Sequence, residues 1–347
     1  MWKILRPPKH KPPVAAEKID KEYKRLRLQV FIGIFIGYAG YYLVRKNFTL
    51  AMPHLVEMGF DKGDLGIALS ANAIAYGLSK FLMGGVSDRS NARVFLPLGL
   101  VLSALVTMFL GTSAGISSII MMFITQFLIG WFQGMGWPPC GRVMTHWFSQ
   151  NERGTKMSIW NTSHSIGAFI AALLCGYIMG HTGVDRSADP EMVARITANL
   201  GEGASAERLT NALQHVGAWQ WTFWIPALIA VLGVIFIIVT LRDTPRSVGL
   251  PELPDTKTPL DEDDSLGAYK AYVRKMVFLN PVIWVLAVSD LFVYVVRFAI
   301  LDWGPTFLQQ RAVPLSSELA GWTIGIFEVA GCAGMLCAGW ISDNLFK

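Results

Sequence analysis

Charge is scarce in this chain: Asp, Glu, Lys and Arg together make up 16% of its 347 residues. Soluble domains carry about 25%, so a water-exposed globular protein is excluded. Cysteine is scarce as well, and the four present (Cys140, Cys175, Cys332 and Cys337) form no CxxC pair. Each lies in or beside an apolar stretch, which reads as free packing thiols rather than a metal or disulfide set. The first residues, Met1-Trp2-Lys3-Ile4-Leu5-Arg6-Pro7-Pro8, lack the apolar core of a cleaved signal peptide. The first spanning helix is therefore expected to direct insertion itself. No nucleophile–base pair, metal cluster or Walker motif stands in the sequence, so neither an enzyme nor an ATP-driven device is expected.

Apolar residues fill the space that charge leaves. The chain is 52% hydrophobic with a mean hydropathy of +0.41, as an all-α polytopic membrane protein requires. Apolar windows of about 20 residues, one bilayer each, fall near 29–52, 64–86, 93–112, 116–141, 155–180, 219–241, 281–309 and 318–341. Residues 1–28 carry nine Lys/Arg against three acids, whereas 181–218 carry five acids against three arginines. The positive-inside rule then puts the N-terminus in the cytoplasm and 181–218 outside. The expected organisation is a basic N-terminus (1–28), a six-helix half (29–241), a cytoplasmic linker (242–280) and two further helices (281–347). The linker contains Asp261-Glu262-Asp263-Asp264, a run too polar to span.

Two arginines break the apolar pattern in matching frames. Tyr38-x3-Tyr42-x2-Arg45 and Asp290-x3-Tyr294-x2-Arg297 share an i, i+4, i+7 spacing, which places three polar groups on one helix face. Downstream lie Gly84-x3-Asp88-Arg89 and Gly339-x3-Asp343-Asn344. The arginines are 252 residues apart and the aspartates 255, which is an internal parallel repeat. Such a repeat about an axis along the membrane normal is the architecture of major facilitator transporters. It requires six helices in each copy, so the second copy is expected to be truncated. A charge at the bilayer centre costs roughly 2.5–3.5 kcal/mol on the mildest scale. Two arginines in equivalent places therefore read as a paired anion site, with Asp88, Arg89 and Asp343 assigned to conformational change.

Other polar residues gather on helix faces. Asn72, Tyr76 and Lys80 follow one another at i+4, and Trp160, Asn161 and His164 share a second face. Lys80 is read as facing a cavity, with snorkelling to the interface as its alternative. His164 is read as an anion donor, with plain packing as its alternative. Lys46 and Asp302 lie towards the same ends of their windows and are expected to bridge the halves, or else to be solvated. Glu328, in mid-window, needs a cationic partner when the site is empty. The run from Gly130 to Arg142, with glycines at 130, 134 and 136, predicts a close-packed helix that bends or ends near Pro138-Pro139.

Four segments together resemble one family: Tyr41-Tyr42-Leu43-Val44-Arg45-Lys46-Asn47-Phe48, the Gly130–Arg142 run, Arg242-Asp243-Thr244-Pro245, and Tyr294-Val295-Val296-Arg297 with Leu301-Asp302-Trp303. The chain is similar to the bacterial organophosphate:phosphate antiporters of the major facilitator superfamily, with the glycerol-3-phosphate branch nearest. The family signature Arg-Gly-x5-Trp-Asn-x2-His-Asn-x-Gly-Gly stands here as Arg153-Gly154, Trp160-Asn161, His164-Ser165 and Gly167-Ala168. Ser165 and Ala168 depart from it, as does Asp290, where relatives often have Asn. The resemblance implies exchange of a phosphate monoester, glycerol 3-phosphate first, for inorganic phosphate. It assigns phosphate to Arg45 and Arg297, and the path to Lys80, His164, Tyr38, Tyr42, Tyr76, Trp137, Trp160, Asn161 and Tyr294. It implies a monomer in a bacterial inner membrane, with no cofactor and no nucleic-acid partner. Hexose-phosphate or phosphoglycerate exchange, and a sensor that binds without transporting, are its alternatives.

Overall fold

The computed structural model describes residues 3–201, 205–253, 266–311 and 313–345. Among them are eight helical stretches long and apolar enough to cross a membrane. The first is two helices, α1 (Ile19–Leu43) and α2 (Asn47–Glu57). Next come α3 (Lys62–Asp88) and α4 (Ala92–Leu110), and then a second broken span, α5 (Ile119–Gln133) with α6 (Trp137–Trp147). α7 (Gln150–His181) is followed by the short α8 (Pro190–Leu200) and α9 (Ala206–Gln214), and by α10 (Ala218–Thr240). α11 (Leu266–Val273) leads to α12 (Pro281–Gln310) and α13 (Ser317–Leu345).

Local chemistry sets these boundaries. The Asp61 carboxylate accepts from the amides of Gly63 and Asp64 at the start of α3, and Asn91 caps α4 through the Arg93 amide. Ser149 and Glu152 form a capping box that opens α7. α5 stops at Gln133, and Pro138 and Pro139 occupy the first turn of α6, where a missing N–H costs nothing. The break thus falls at 134–136, just upstream of the proline pair. Gly130 and Gly134 sit against Asn72 and Ser79 of α3 with no room for a Cβ, so two backbones touch there.

Packing divides into two apolar layers along the membrane normal. Near the N-terminal side, Val30, Ile34, Leu96, Trp147, Trp160 and Ile237 join α1, α4, α6, α7 and α10. Towards the opposite side, Phe48, Met52, Leu55, Leu65 and Phe223 join α2, α3 and α10. α12 packs on α2 and α13 packs on α7, so the later helices lean on the first six. Cys140 and Cys175 are buried packing thiols, but Cys337 is exposed, so the packing role expected for all four does not extend to it.

Residues 181–218 are not a plain loop. α8 and α9 close a small core of their own around Ile196, Ala212 and Leu213, joined at its base by a Val184–Val216 bridge. At the other side, Arg242–Thr244 is an anchor. Asp243 is buried, pairs with Arg142 (2.8 Å) and accepts from the Ala92 amide (2.8 Å). Burial pushes its carboxyl above the usual range, against the pull of Arg142. The N-terminal arm lies across this anchor, with the Lys11 and Val14 amides donating to Arg246 and Gly249 carbonyls. The acidic run 261–264 lies outside the described residues.

Candidate functional site: an aromatic cage around Arg45 and an acid-paired Arg297

Arg45 does not complete a helix face as its spacing predicts. α1 ends at Leu43, and Arg45 stands in the turn before α2, its amide making only a long bond to the Tyr42 carbonyl (3.4 Å). Lys46 caps the next helix without a side-chain bond, and Pro53 sits inside that short helix. The turn swings the guanidinium onto α3: Arg45 Cζ lies 3.9 Å from the Tyr76 ring centroid and 5.0 Å from that of Tyr42. Nη1 donates to the Tyr42 hydroxyl at 3.1 Å. Among the described residues no carboxylate pairs with Arg45, so rings and phenol oxygens carry its charge.

Aromatic rings extend the cage. Tyr38 packs on Trp160 (4.9 Å between centroids) and on Tyr42 (5.6 Å), and Trp137 meets Trp160 edge-on at 6.4 Å. Lys80 Nζ lies 5.6 Å from the Tyr76 ring and 5.3 Å from the Trp137 ring, joining α3 to α6. His164 is buried, with its ring 5.3 Å from Tyr42. The Trp160 indole donates to the Ile34 carbonyl at 3.2 Å, which fixes α7 on α1. Asn161 turns towards α13, its amide 3.1 Å from Met335 Sδ.

Arg297 has a different environment. It lies inside the unbroken α12, and its Nη2 bonds both carboxylate oxygens of Glu328 on α13, at 3.1 and 3.3 Å. Glu328 is 1% exposed. A groove of about 570 Å³ runs beside this pair, walled by Phe292, Val293, Val296 and Phe327. Arg45, Lys80 and His164 are not among its walls. The two arginines still belong to one electrostatic region, because Tyr42 and His164 each lie within reach of both guanidiniums. Tyr294 is partly exposed and packs on Phe298 (5.2 Å) rather than in the cage.

Lys46 Nζ is ion-paired with Asp302, tying the start of α2 to α12. Further along the same interface, the His54 ring faces the Ser317 hydroxyl at 3.5 Å. On the N-terminal side, the Tyr269 hydroxyl of α11 donates to Asp88 (3.3 Å), and Arg89 covers the Tyr269 ring at 5.1 Å. Close approach in this motif belongs to Gly85, against Tyr269, and not to Gly84, which has open space. The surroundings of Gly339 and the Asp343 side chain lie outside what is described. Sequence reasoning left Gln126 unmentioned, although its side-chain oxygen accepts from Asn72 at 3.1 Å. A Gln inside an apolar run was the available signal.

Spans of this number, with two broken helices and part-buried cations at repeat-related positions, define a multi-pass α-helical membrane protein. The chain belongs to the Major Facilitator Superfamily, whose profile matches residues 34–347. It is 43% identical to the glycerol-3-phosphate transporter of Bacillus subtilis (strain 168), over all of this chain and 72% of that protein. It is 35% identical to a probable hexose phosphate transport protein of Chlamydia pneumoniae, over all of this chain and 71% of that one. Its fold matches a bacterial homologue of the human lysosomal transporter Spinster, in an inward-facing and occupied conformation. That match has a TM-score of 0.62 at 17% identity, over 95% of this chain and 63% of the other.

Proposed function

We propose that this protein exchanges an organic phosphate monoester, glycerol 3-phosphate foremost, for inorganic phosphate by alternating access. The observation that carries the reading is the contrast in neutralisation at the two arginines. Arg45 has rings and, among the described residues, no acid, while Arg297 has Glu328. A monoester carries about −1.5 to −2 charges near pH 7. Arg45 offers it an unneutralised fork at once, and the ester's second charge can displace Glu328 from Arg297. An empty site then holds one part-buried cation without a counter-ion, and closure that buries it further is resisted. A bound anion removes that resistance, and exchange becomes obligatory. Lys80 would raise the local positive potential, and His164 would add a donor. The Lys46–Asp302 pair would hold α2 and α12 together in one of the two access states.

The same reading puts the N-terminus and the Asp243 anchor in the cytoplasm of a bacterium, with α8 and α9 outside the inner membrane. The boundaries 1–28, 29–241, 242–280 and 281–347 then separate tail, first half, linker and second half. Proteoliposomes loaded with inorganic phosphate test the proposal. Uptake of labelled glycerol 3-phosphate should require internal phosphate, and uptake that is indifferent to internal phosphate would sink the exchange. Glucose 6-phosphate as competitor separates the ester classes: inhibition at lower concentration than glycerol 3-phosphate would reassign the substrate.

A further inference from the structure

Two arginines and a glutamine, from three segments, converge on the last turn of α10. The final carbonyls of a helix have no intrahelical partner, and here side chains cap four in succession. Arg93 Nε donates to the Ile238 carbonyl at 2.7 Å, and Gln29 Nε2 to that of Thr240 at 2.8 Å. Arg242 Nη1 donates to the carbonyls of Val239 (2.8 Å) and Leu241 (2.7 Å). Cations suit the negative end of a helix dipole, which explains one nitrogen of each guanidinium. Each guanidinium has five N–H donors. Among the described residues, Arg93 Nη1 and Nη2, and Arg242 Nε and Nη2, have no protein acceptor.

Nearby acids are committed elsewhere. Asp243 pairs with Arg142, Glu152 with Arg27, and Glu22 with Arg25 (2.6 Å). Among the described residues no carboxylate pairs with Arg93 or Arg242. Burial, and then the neighbouring Arg93 and Arg25, pull Arg242 below the ordinary arginine range; like charges are crowded together here. Immediately along the helices the surface turns apolar, with Leu28 62%, Ile235 60% and Val239 60% exposed. The cations therefore sit at the rim of a lipid-facing strip, at the depth where phospholipid phosphates lie.

We propose that Arg93 and Arg242 bind the phosphate of an anionic phospholipid in the leaflet on the N-terminal side, with its acyl chains along Leu28, Ile235 and Val239. The inference rests on the membrane embedding and is independent of the transport reading. The unused donors form a forked cationic pair that fits a phosphodiester. The flanking apolar strip favours a lipid over a purely soluble anion as the occupant.

Native mass spectrometry of the 347-residue chain in detergent, with phosphatidylglycerol or phosphatidylcholine added, provides the test. The wild type should retain phosphatidylglycerol over phosphatidylcholine by about tenfold. R93Q/R242Q should bring the ratio near one, and R93K/R242K should keep part of it, because charge remains and the fork is lost. Equal retention of the two lipids by the wild type overturns the proposal without any variant having to fold. So does an unchanged preference in R93Q/R242Q. A third arm adds inorganic phosphate against chloride at equal ionic strength. Release of the lipid by phosphate alone would reassign the arginines to a soluble anion.

Discussion

Arg45 and Arg297 occupy equivalent places in a repeated sequence frame, yet the fold treats them differently. Arg45 stands in a helix break, packed on the faces of Tyr76 and Tyr42 and joined to no acid among the described residues. Arg297 stands inside a continuous helix and shares its charge with the buried carboxylate of Glu328. A ring attracts a cation without neutralising it, so Arg45 remains available to an anion. A carboxylate neutralises it, so Arg297 must exchange one anion for another. The repeat preserves the positions of two charges, and their neighbours make one a standing receptor and the other a conditional one.

The largest expected effect comes from removing the fork at either position. Arg45→Lys and Arg297→Lys keep the charge but lose bidentate geometry, and charged hydrogen bonds contribute about 1.5–3 kcal/mol each. Exchange measured by counterflow should fall about a hundredfold or more in each. Near-normal counterflow in either would show that charge alone suffices.

Next is the partner that distinguishes the two sites. Glu328→Gln leaves the part-exposed Arg297 without its counter-ion, which should cost about 2 kcal/mol of stability in a thermal unfolding assay without substrate. Added phosphate should recover much of that loss, by supplying the missing charge. A variant as stable as wild type, and indifferent to phosphate, would mean that Glu328 does not neutralise Arg297.

The tie between α2 and α12 sharpens the comparison from the side. Lys46→Gln and Asp302→Asn should each shift the balance of access states, and K46Q/D302N should cost less than the two single changes added together. A coupling of about 1–2 kcal/mol from the double-mutant cycle is expected. Additive effects would show that the pair contributes nothing as a pair.

The smallest effect belongs to the ring under Arg45. Tyr76→Leu removes a desolvated cation–π contact and should weaken phosphate binding by about 1 kcal/mol, whereas Tyr76→Phe keeps most of it. If Phe and Leu weaken binding equally, the phenol hydroxyl matters and the ring face does not.

The amino-acid sequence by itself determined the membrane class, all eight spans, and the residues that carry charge into the interior, because scarcity of charge and runs of apolar residues act locally. It also marked Lys46, Asp302 and Glu328 as charges in want of partners, since an unpaired charge is costly in lipid wherever it stands. Partner choice was another matter. The matching frames of Tyr38, Tyr42 and Arg45 and of Asp290, Tyr294 and Arg297 argue for like surroundings. Only the break after Leu43 delivers Arg45 to Tyr76, and only the packing of α13 against α12 delivers Glu328 to Arg297. Asp243 makes the same point: the Arg-Asp-Thr-Pro run is polar and does not name its partners, and the assembled helices bury Asp243 against Arg142 and Ala92. Periodicity fixes which way a side chain points along its own helix, while the partner it meets depends on how separate helices pack, and that is set by contacts between residues tens to hundreds of positions apart.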